Sequence, residues 1–385
     1  MRFGGTRGRS GATRVRAAIL TLNAGSTSLK ATLRTAERED RVLFAAEAVR
    51  ANDVWTLQTG DRREQVDGEI DQAAIKVLER ASTAHSAFDT VAVAHRIVHG
   101  ADSYVHPCVL DHHAVERLRS FARFAPQHQG PALDLIEAVR SVLPEAINIG
   151  CFDTAFHKTI PALHHVLPLP ERLRALGYRR YGFHGLSFQS IAMQLAATRP
   201  DLRKVVVAHL GGGSSLCALH DGKSIATTMG LTALDGVPMT TRSGSLDPGV
   251  VLDLVRRSDV ETIEAMLYGK SGLAALSNTS GDLRAMRAAG TPEADLAIDV
   301  FAARVAEAAA AMSVAMGGMQ ALVLTGGIGS NDILVGDAVA SRLNFFPPFE
   351  TLRLKTDEEA VLADGARAVL EAQGSMPEEH DDGLS

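Results

Sequence analysis

From about residue 17 onward the apolar positions of this chain fall into short blocks separated by small-residue turns. AAILTLNAGSTSLKATLR reads as an apolar strand, a Gly/Ser turn and an alternating strand, which predicts a β-hairpin. KVVVAHLGGGSSLCALHDGKSIATT, far downstream, repeats the design as strand, glycine-rich turn, strand, Asp221-Gly222 turn and strand. Two such hairpins, each followed by strand and helix patterns, suggest a duplicated α/β unit facing a common cleft; chance likeness of common turns is the alternative. Between them, TVAVAHRIVHG predicts a buried strand, GPALDLIEAVRSVL an amphipathic helix, and EAINIGCFDTAFH a strand ending at an acid. Helices follow around Pro248–Arg257, Thr262–Leu267 and, alanine-rich, Glu293–Met316. ALVLTGGIGSND then predicts a strand breaking into a glycine loop, and TDEEAVLADGARAVLEA a last helix.

A chain of 385 residues exceeds one ordinary core, so two domains are expected. Apolar residues at 46% and charged residues at 22% fit a soluble globular protein, and aromatics at 5% leave the core to aliphatic side chains and alanine. A net charge of −6 excludes a broad attraction to nucleic acid, so an anionic substrate must be held by local cations. Cys108, Cys151 and Cys217 form neither a metal-binding pair nor a disulfide framework, in keeping with a reducing compartment. No apolar run is long enough to span a bilayer. The first sixteen residues hold five arginines and no acid but lack the apolar middle of a secretory signal; they read as a disordered leader or an early start, with organelle targeting as the alternative. Glu378 to Ser385 reads as a solvated acidic tail.

Three small-residue loops each follow a strand: Asn23–Ser28, Gly211–Ser215 and Thr325–Asn331. Glycine lets backbone N–H groups approach phosphate oxygens, and Ser or Thr hydroxyls add donors. One such loop is an ordinary turn; three together point to a nucleotide. GxxxxGK[ST], a helix-opening GxGxxG and the protein-kinase signatures are absent. The groups able to do chemistry are Arg96, His128, Asp153, His184, Arg242, Asp247 and Glu358, at strand ends and in small loops. Phosphoryl transfer depends on positioning and charge neutralisation; it needs cations for crowded oxygens and carboxylates for Mg²⁺. Arginine suits that task through its planar fork. Four of these candidates also have a plainer reading: a structural ion pair for Arg96, a surface loop for Arg242, a core histidine for His184 and a helix cap for Asp153. Fourteen histidines include no HExxH, and the adjacent pairs His112-His113 and His164-His165 cannot easily chelate one ion, so a zinc site is not expected.

In order, LTLNAGSTSLK, AHRIVHG, FAPQHQ, FDTAFH, RRYGFHG, AHLGGGSSLCALHDGKSIATTMGLTALDG, TRSGSLDPG, LTGGIGSND and TDEE resemble the acetate kinases from about Ala17 to Ala372. The resemblance implies an α/β fold of two ribonuclease H-like domains with mixed sheets facing a central cleft, as in the sugar kinase and actin superfamily. It divides the chain into a leader (1–16), a first domain (17–152, completed by a helix at about 359–373), a nucleotide-binding domain (153–358) and a tail (374–385). It implies a cytoplasmic homodimer that phosphorylates acetate reversibly from ATP with Mg²⁺, or Mn²⁺ in its place, and that serves acetyl-CoA formation. By position, Asn23, Arg96, Asp153, His184 and Arg242 would be catalytic. Arg96, Val98, Gln127, His128, Phe183 and Ala233 would bind the acid. Ser26, Ser28, Lys30, His209, Gly211, Gly212 and Gly213 would lie along the phosphates. Asp282, Leu283, Arg284, Gly326, Gly327, Ile328 and Asn331 would match the nucleoside pocket. Asn23, Asp153 and Glu358 would hold the metal.

The chain departs from the family pattern in four places. Gly212 stands where asparagine is usual, Thr240 for glycine, Gln127 for leucine and Ala233 for proline. The last two predict a more polar, roomier acyl pocket in which propionate turns over at a rate comparable to acetate, because a buried methylene is worth only ~0.8 kcal/mol. A propionate or butyrate kinase on the same scaffold, and a nucleotide-binding actin-like protein without transfer activity, are the competing readings.

Overall fold

The computed structural model describes residues 16–25, 27–51 and 54–374, with the side chain of Gln127 excluded. Ser26, most of the predicted leader and nearly all of the predicted tail therefore lie outside the described residues.

Eight strands form the first sheet: β1 (Arg16–Ala24), β2 (Ser28–Thr35), β3 (Val42–Ala51), β4 (Val54–Thr59), β5 (Arg62–Asp67), β6 (Phe88–Ile97), β7 (Cys108–Val109) and β8 (Ile147–Phe152). Five form the second: β9 (Lys204–Leu210), β10 (Ser214–His220), β11 (Lys223–Thr227), β12 (Ala321–Thr325) and β13 (Glu350–Arg353). Within the first, β3-β2-β1-β6-β8 runs antiparallel through the hairpin and then parallel. The second, β11-β10-β9-β12-β13, repeats the same order and the same senses. The two glycine-turned hairpins are thus corresponding parts of a duplicated topology.

Both sheets are covered on two faces, which explains why their central strands are apolar throughout. In β9, Val206 and Ala208 face the long helix Pro292–Met316, while Val205 and Val207 face the helix Gly185–Thr198 through Phe188, Ile191 and Leu195. The long helix follows from its sequence. Thr291 caps it by accepting the Ala294 N–H at 3.2 Å, Pro292 occupies the first turn, and Gly317 at φ 65° ends it. Its buried alanines, among them Ala294, Ala297, Ala302 and Ala309, let it lie close on the sheet. On the first sheet, the helices Ile70–Ala84 and Pro126–Val142 cover one face and Glu358–Ala372 the other, the last through Val361, Leu362 and Ala366 against Ile19, Ala92 and Ala94.

Two predicted segments are corrected. The helix expected from Gly130 begins at Pro126, whose fixed φ suits a first turn, so Gln127 and His128 are helical. The glycine loop after β12 is a short helix, Gly326–Asn331. Gly326 adopts φ 78°, a conformation that only glycine takes freely, and a Cβ there would lie 2.6 Å from Leu210 O.

Candidate active site

The turns of both hairpins, the ends of β1, β6, β8 and β9 and the start of the helix Glu358–Ala372 surround one cleft of about 740 Å³. On its floor Arg96, at the end of β6, donates to Asp153 Oδ2 through Nε at 3.0 Å and Nη2 at 2.7 Å. Its Nη1 donates to Asn23 Oδ1 at 3.1 Å. Asp153 is 1% exposed, and its other oxygen accepts the Leu186 N–H at 3.4 Å. Asp153 therefore caps the first turn of the Gly185–Thr198 helix rather than its own segment. Burial opposes the charge on Arg96, but Asp153, followed by Glu358, overcomes this and raises its pKa. Arg96 is thus ion-paired, as its plainer reading expects, and it also lines the cleft.

Asn23 turns its amide the other way, donating to Glu358 Oε2 at 2.9 Å and Glu359 Oε1 at 3.0 Å. Both glutamates line the cleft beside Lys355.

His184 sits in the left-handed region at φ 56°, uncommon for a non-glycine residue. The strain follows from close packing: a Cβ on the next residue, Gly185, would fall 1.8 Å from Asp153 O. His184 shares a 2.9 Å hydrogen bond between Nδ1 and Ser215 Oγ, and it stacks on His209 with ring centres 4.4 Å apart. His209 is held in turn by Ser187 Oγ at 2.7 Å. Burial pushes His184 far below the ordinary histidine range, with His209 and Arg96 adding to it; burial takes His209 down to about 4. Two neutral imidazoles thus face the glycine turn, where a Cβ on Gly213 would meet His184 Nε2 at 3.2 Å.

Arg242 also lines the cleft. Its Nη1 donates to Ala233 O at 3.3 Å, and Nη2 lies 3.4 Å from His128 Nε2. The guanidinium carbon stands 5.9 Å from the Tyr268 ring centre. No carboxylate among the described residues pairs with it, and burial lowers its pKa. Burial, then Arg242 and Arg96, push His128 down to about 3, so it stays neutral between two cations. Behind these groups Val98, Ala125, Phe183, Met229, Ala233 and Met239 form an apolar cluster, of which Val98, Phe183 and Ala233 reach the cleft.

Ser28, Lys30, Gly211, Gly212, Gly213, Gly326, Gly327 and Asn331 also line the cleft. Asp282, Leu283, Arg284 and Ile328 do not. Asp282 caps the helix Leu283–Ala289 and pairs with Arg284 at 3.2 Å, while Leu283 and Ile328 pack into the second core. Ser26 and the Gln127 side chain lie outside the described part. Sequence reasoning gave no site role to Glu359, Thr240, Thr241, Ser330 or Lys355, all in the lining. TDEE and TTR carried a signal for three of them, since a cleft-facing motif seldom presents one residue alone.

The donor set suits a hard divalent cation. Glu358 and Glu359 converge on one neutral amide with a second oxygen each to spare, and oxygen donors of this kind suit Mg²⁺, which retains waters and phosphate oxygens. No cluster of three or more acidic, His or Cys side chains among the described residues would form a complete cage.

Comparisons with known proteins point to one family. The profile of the acetokinase family matches residues 18–377. The acetate kinase of Nitrobacter hamburgensis is 39% identical over 340 residues, covering 84% of each chain. That of Methylocella silvestris is 38% identical over 343 residues, covering 83% of this chain and 85% of the relative. Among solved structures, a propionate kinase from Francisella tularensis superposes with TM-score 0.82 at 28% identity, covering 91% of this chain and 98% of its own. The Porphyromonas gingivalis acetate kinase gives TM-score 0.80 at 26% identity, covering 92% and 100%. The duplicated mixed sheets are those of the actin-like ATPase fold. Profile, relatives, fold and cleft concur: the chain belongs to the acetokinase family.

Proposed function

We propose that this protein transfers the γ-phosphoryl group of ATP to acetate, reversibly, giving acetyl phosphate and ADP. The observation that carries this is Arg242, a half-buried guanidinium in the cleft lining with no carboxylate partner among the described residues, set beside neutral His128 and an apolar wall. A partly desolvated cation without a counter-charge favours an anionic ligand, and a short carboxylate with an apolar tail fits both halves of the pocket. Arg96 and Arg242 hold the carboxylate and the phosphoryl group. An acid oxygen attacks phosphorus, the bond to the bridging β–γ oxygen breaks, and ADP leaves with that electron pair. His184, neutral and fixed by Ser215, donates a hydrogen bond from Nε2 to the phosphoryl oxygens when its proton lies there. Glycines 211–213 and Lys30 line the path of the phosphates. Asn23, Asp153 and Glu358, with Glu359, would hold Mg²⁺ or Mn²⁺, and the bound ion would neutralise phosphate charge. The nucleoside lies toward Gly326, Gly327 and Asn331.

Propionate is the second reading, favoured by Ala233, whose single methyl leaves room in the apolar wall. ATP-dependent acyl phosphate formation, trapped as the hydroxamate, separates acetate, propionate and butyrate. Comparable turnover with acetate and propionate, collapsing in Arg242→Ala, is expected. Folded, ATP-binding protein that activates none of the three acids would contradict the proposal.

A homodimer fits the helix Pro248–Arg257, which buries no residue and exposes Val250, Leu252 and Val255 near Leu246 and Val260. No helix among the described residues is long and apolar enough to cross a membrane. Three free cysteines fit work in a reducing cytoplasm, where the acyl phosphate would supply acetyl-CoA formation.

A further inference from the structure

Thr240 stands in the cleft wall between the glycine turn and Arg242. Its N–H donates to Gly212 O at 3.3 Å, and its carbonyl accepts the Ala274 N–H at 2.9 Å, so its backbone is tied on both sides. Its methyl is turned to Gly281, where an added Cβ would lie 3.0 Å from Thr240 Cγ2. Thr241 spends its own hydroxyl on Tyr268 O at 2.9 Å. The Thr240 hydroxyl has no hydrogen-bond partner among the described residues, and Thr240 lines the cleft. Across the backbone bond the turn offers no side chain, and a Cβ on Gly212 would meet nothing within 4 Å. An unspent donor on a fixed backbone therefore borders an open space flanked by a cationic side chain and a phosphate-type turn.

We propose that Thr240 Oγ donates a hydrogen bond to the phosphoryl group in transit, supplying the side-chain donor that residues 211–213 cannot. The role deepens the phosphoryl-transfer reading and rests on it. A hydroxyl bonded to an oxygen whose charge rises during transfer acts mainly on kcat, because the bond is strongest in the transition state.

Steady-state kinetics on Thr240→Ser, Thr240→Val and Thr240→Ala, with Arg242→Ala as control and thermal melts for folding, test this. Thr240→Val keeps the shape and removes the donor, so kcat should fall roughly ten- to a hundredfold with the KM for acetate within about twofold. Thr240→Ser should stay within about threefold of the parent kcat, since one such bond is worth about a factor of ten or more. A Thr240→Val enzyme with the parent kcat would overturn the proposal. So would Thr240→Ser falling as far as Thr240→Ala, which would assign the effect to the methyl on Gly281. If Arg242→Ala also retained full activity, the phosphoryl-transfer reading itself would fail. A collapse in Arg242→Ala with Thr240→Val intact would sink the role of Thr240 alone.

Discussion

Asp153 serves Arg96 with one oxygen and the Leu186 N–H with the other, from a site almost closed to solvent. Replacing it with alanine leaves Arg96 buried without its counter-charge, a change that typically costs about 3–5 kcal/mol. Urea unfolding of Asp153→Ala should show a loss of that order together with loss of turnover. A stability within about 0.5 kcal/mol of the parent would mean that Arg96 finds water or another partner. The two arginines differ in how far sequence alone could read them. Arg96 in an apolar strand announced a buried charge. Nothing in TTRSGSLDPG showed that Arg242 would be half-buried without an acid, because Tyr268 and His128, which flank it, come from distant segments.

At the scale of elements, the hairpins and the last helix were legible because period and turn chemistry agree there. β3 to β5 and the Gly185–Thr198 helix were not read from pattern. β3 to β5 are part-exposed meander strands, and Gly185–Thr198 buries eight of its fourteen residues, so its 3.6-residue period is blurred. That helix starts where it does because Gly185 allows contact with Asp153. Gly185→Ala forces a Cβ to 1.8 Å from Asp153 O and should lower stability by about 3 kcal/mol or more. Gly212→Ala enters open space and should change stability by no more than about 0.5 kcal/mol. Parallel denaturant melts read both; equal effects would mean that the Gly185 turn can move aside. The cleft also depends on Asp357, which caps the Glu358–Ala372 helix, accepts two bonds from buried Arg34 at 2.8 and 3.0 Å, and donates its N–H to Ser190 Oγ at 2.9 Å. These bonds fix the helix that presents Glu358 and Glu359 to the helix that begins after His184.

At the scale of the whole molecule, burial holds His95, His99, His157 and His209 near a pKa of about 4 and His128 near about 3, against an ordinary 6.5. These folded-state values are depressed, so between pH 6.5 and about 4 the unfolded chain binds protons that the folded one refuses. Stability is then full above pH 6.5 and falls as the solution is acidified. Each such imidazole contributes a slope of up to about 1.4 kcal/mol per pH unit. Melting temperatures should drop steeply from pH 6.5 to 4.5, and a flat profile would contradict neutral burial of these rings. Light scattering should give twice the monomer mass at micromolar concentration, and Leu252→Asp should reduce it; a monomeric parent would rule out the proposed interface. The central claim is that this cleft joins a carboxylate oxygen directly to the γ-phosphorus of ATP. The most direct measurement is ³¹P NMR of the product formed from ATP and ¹⁸O-labelled acetate. Acetyl phosphate carrying ¹⁸O in its bridging position is predicted, and ADP with only unlabelled inorganic phosphate would contradict the claim.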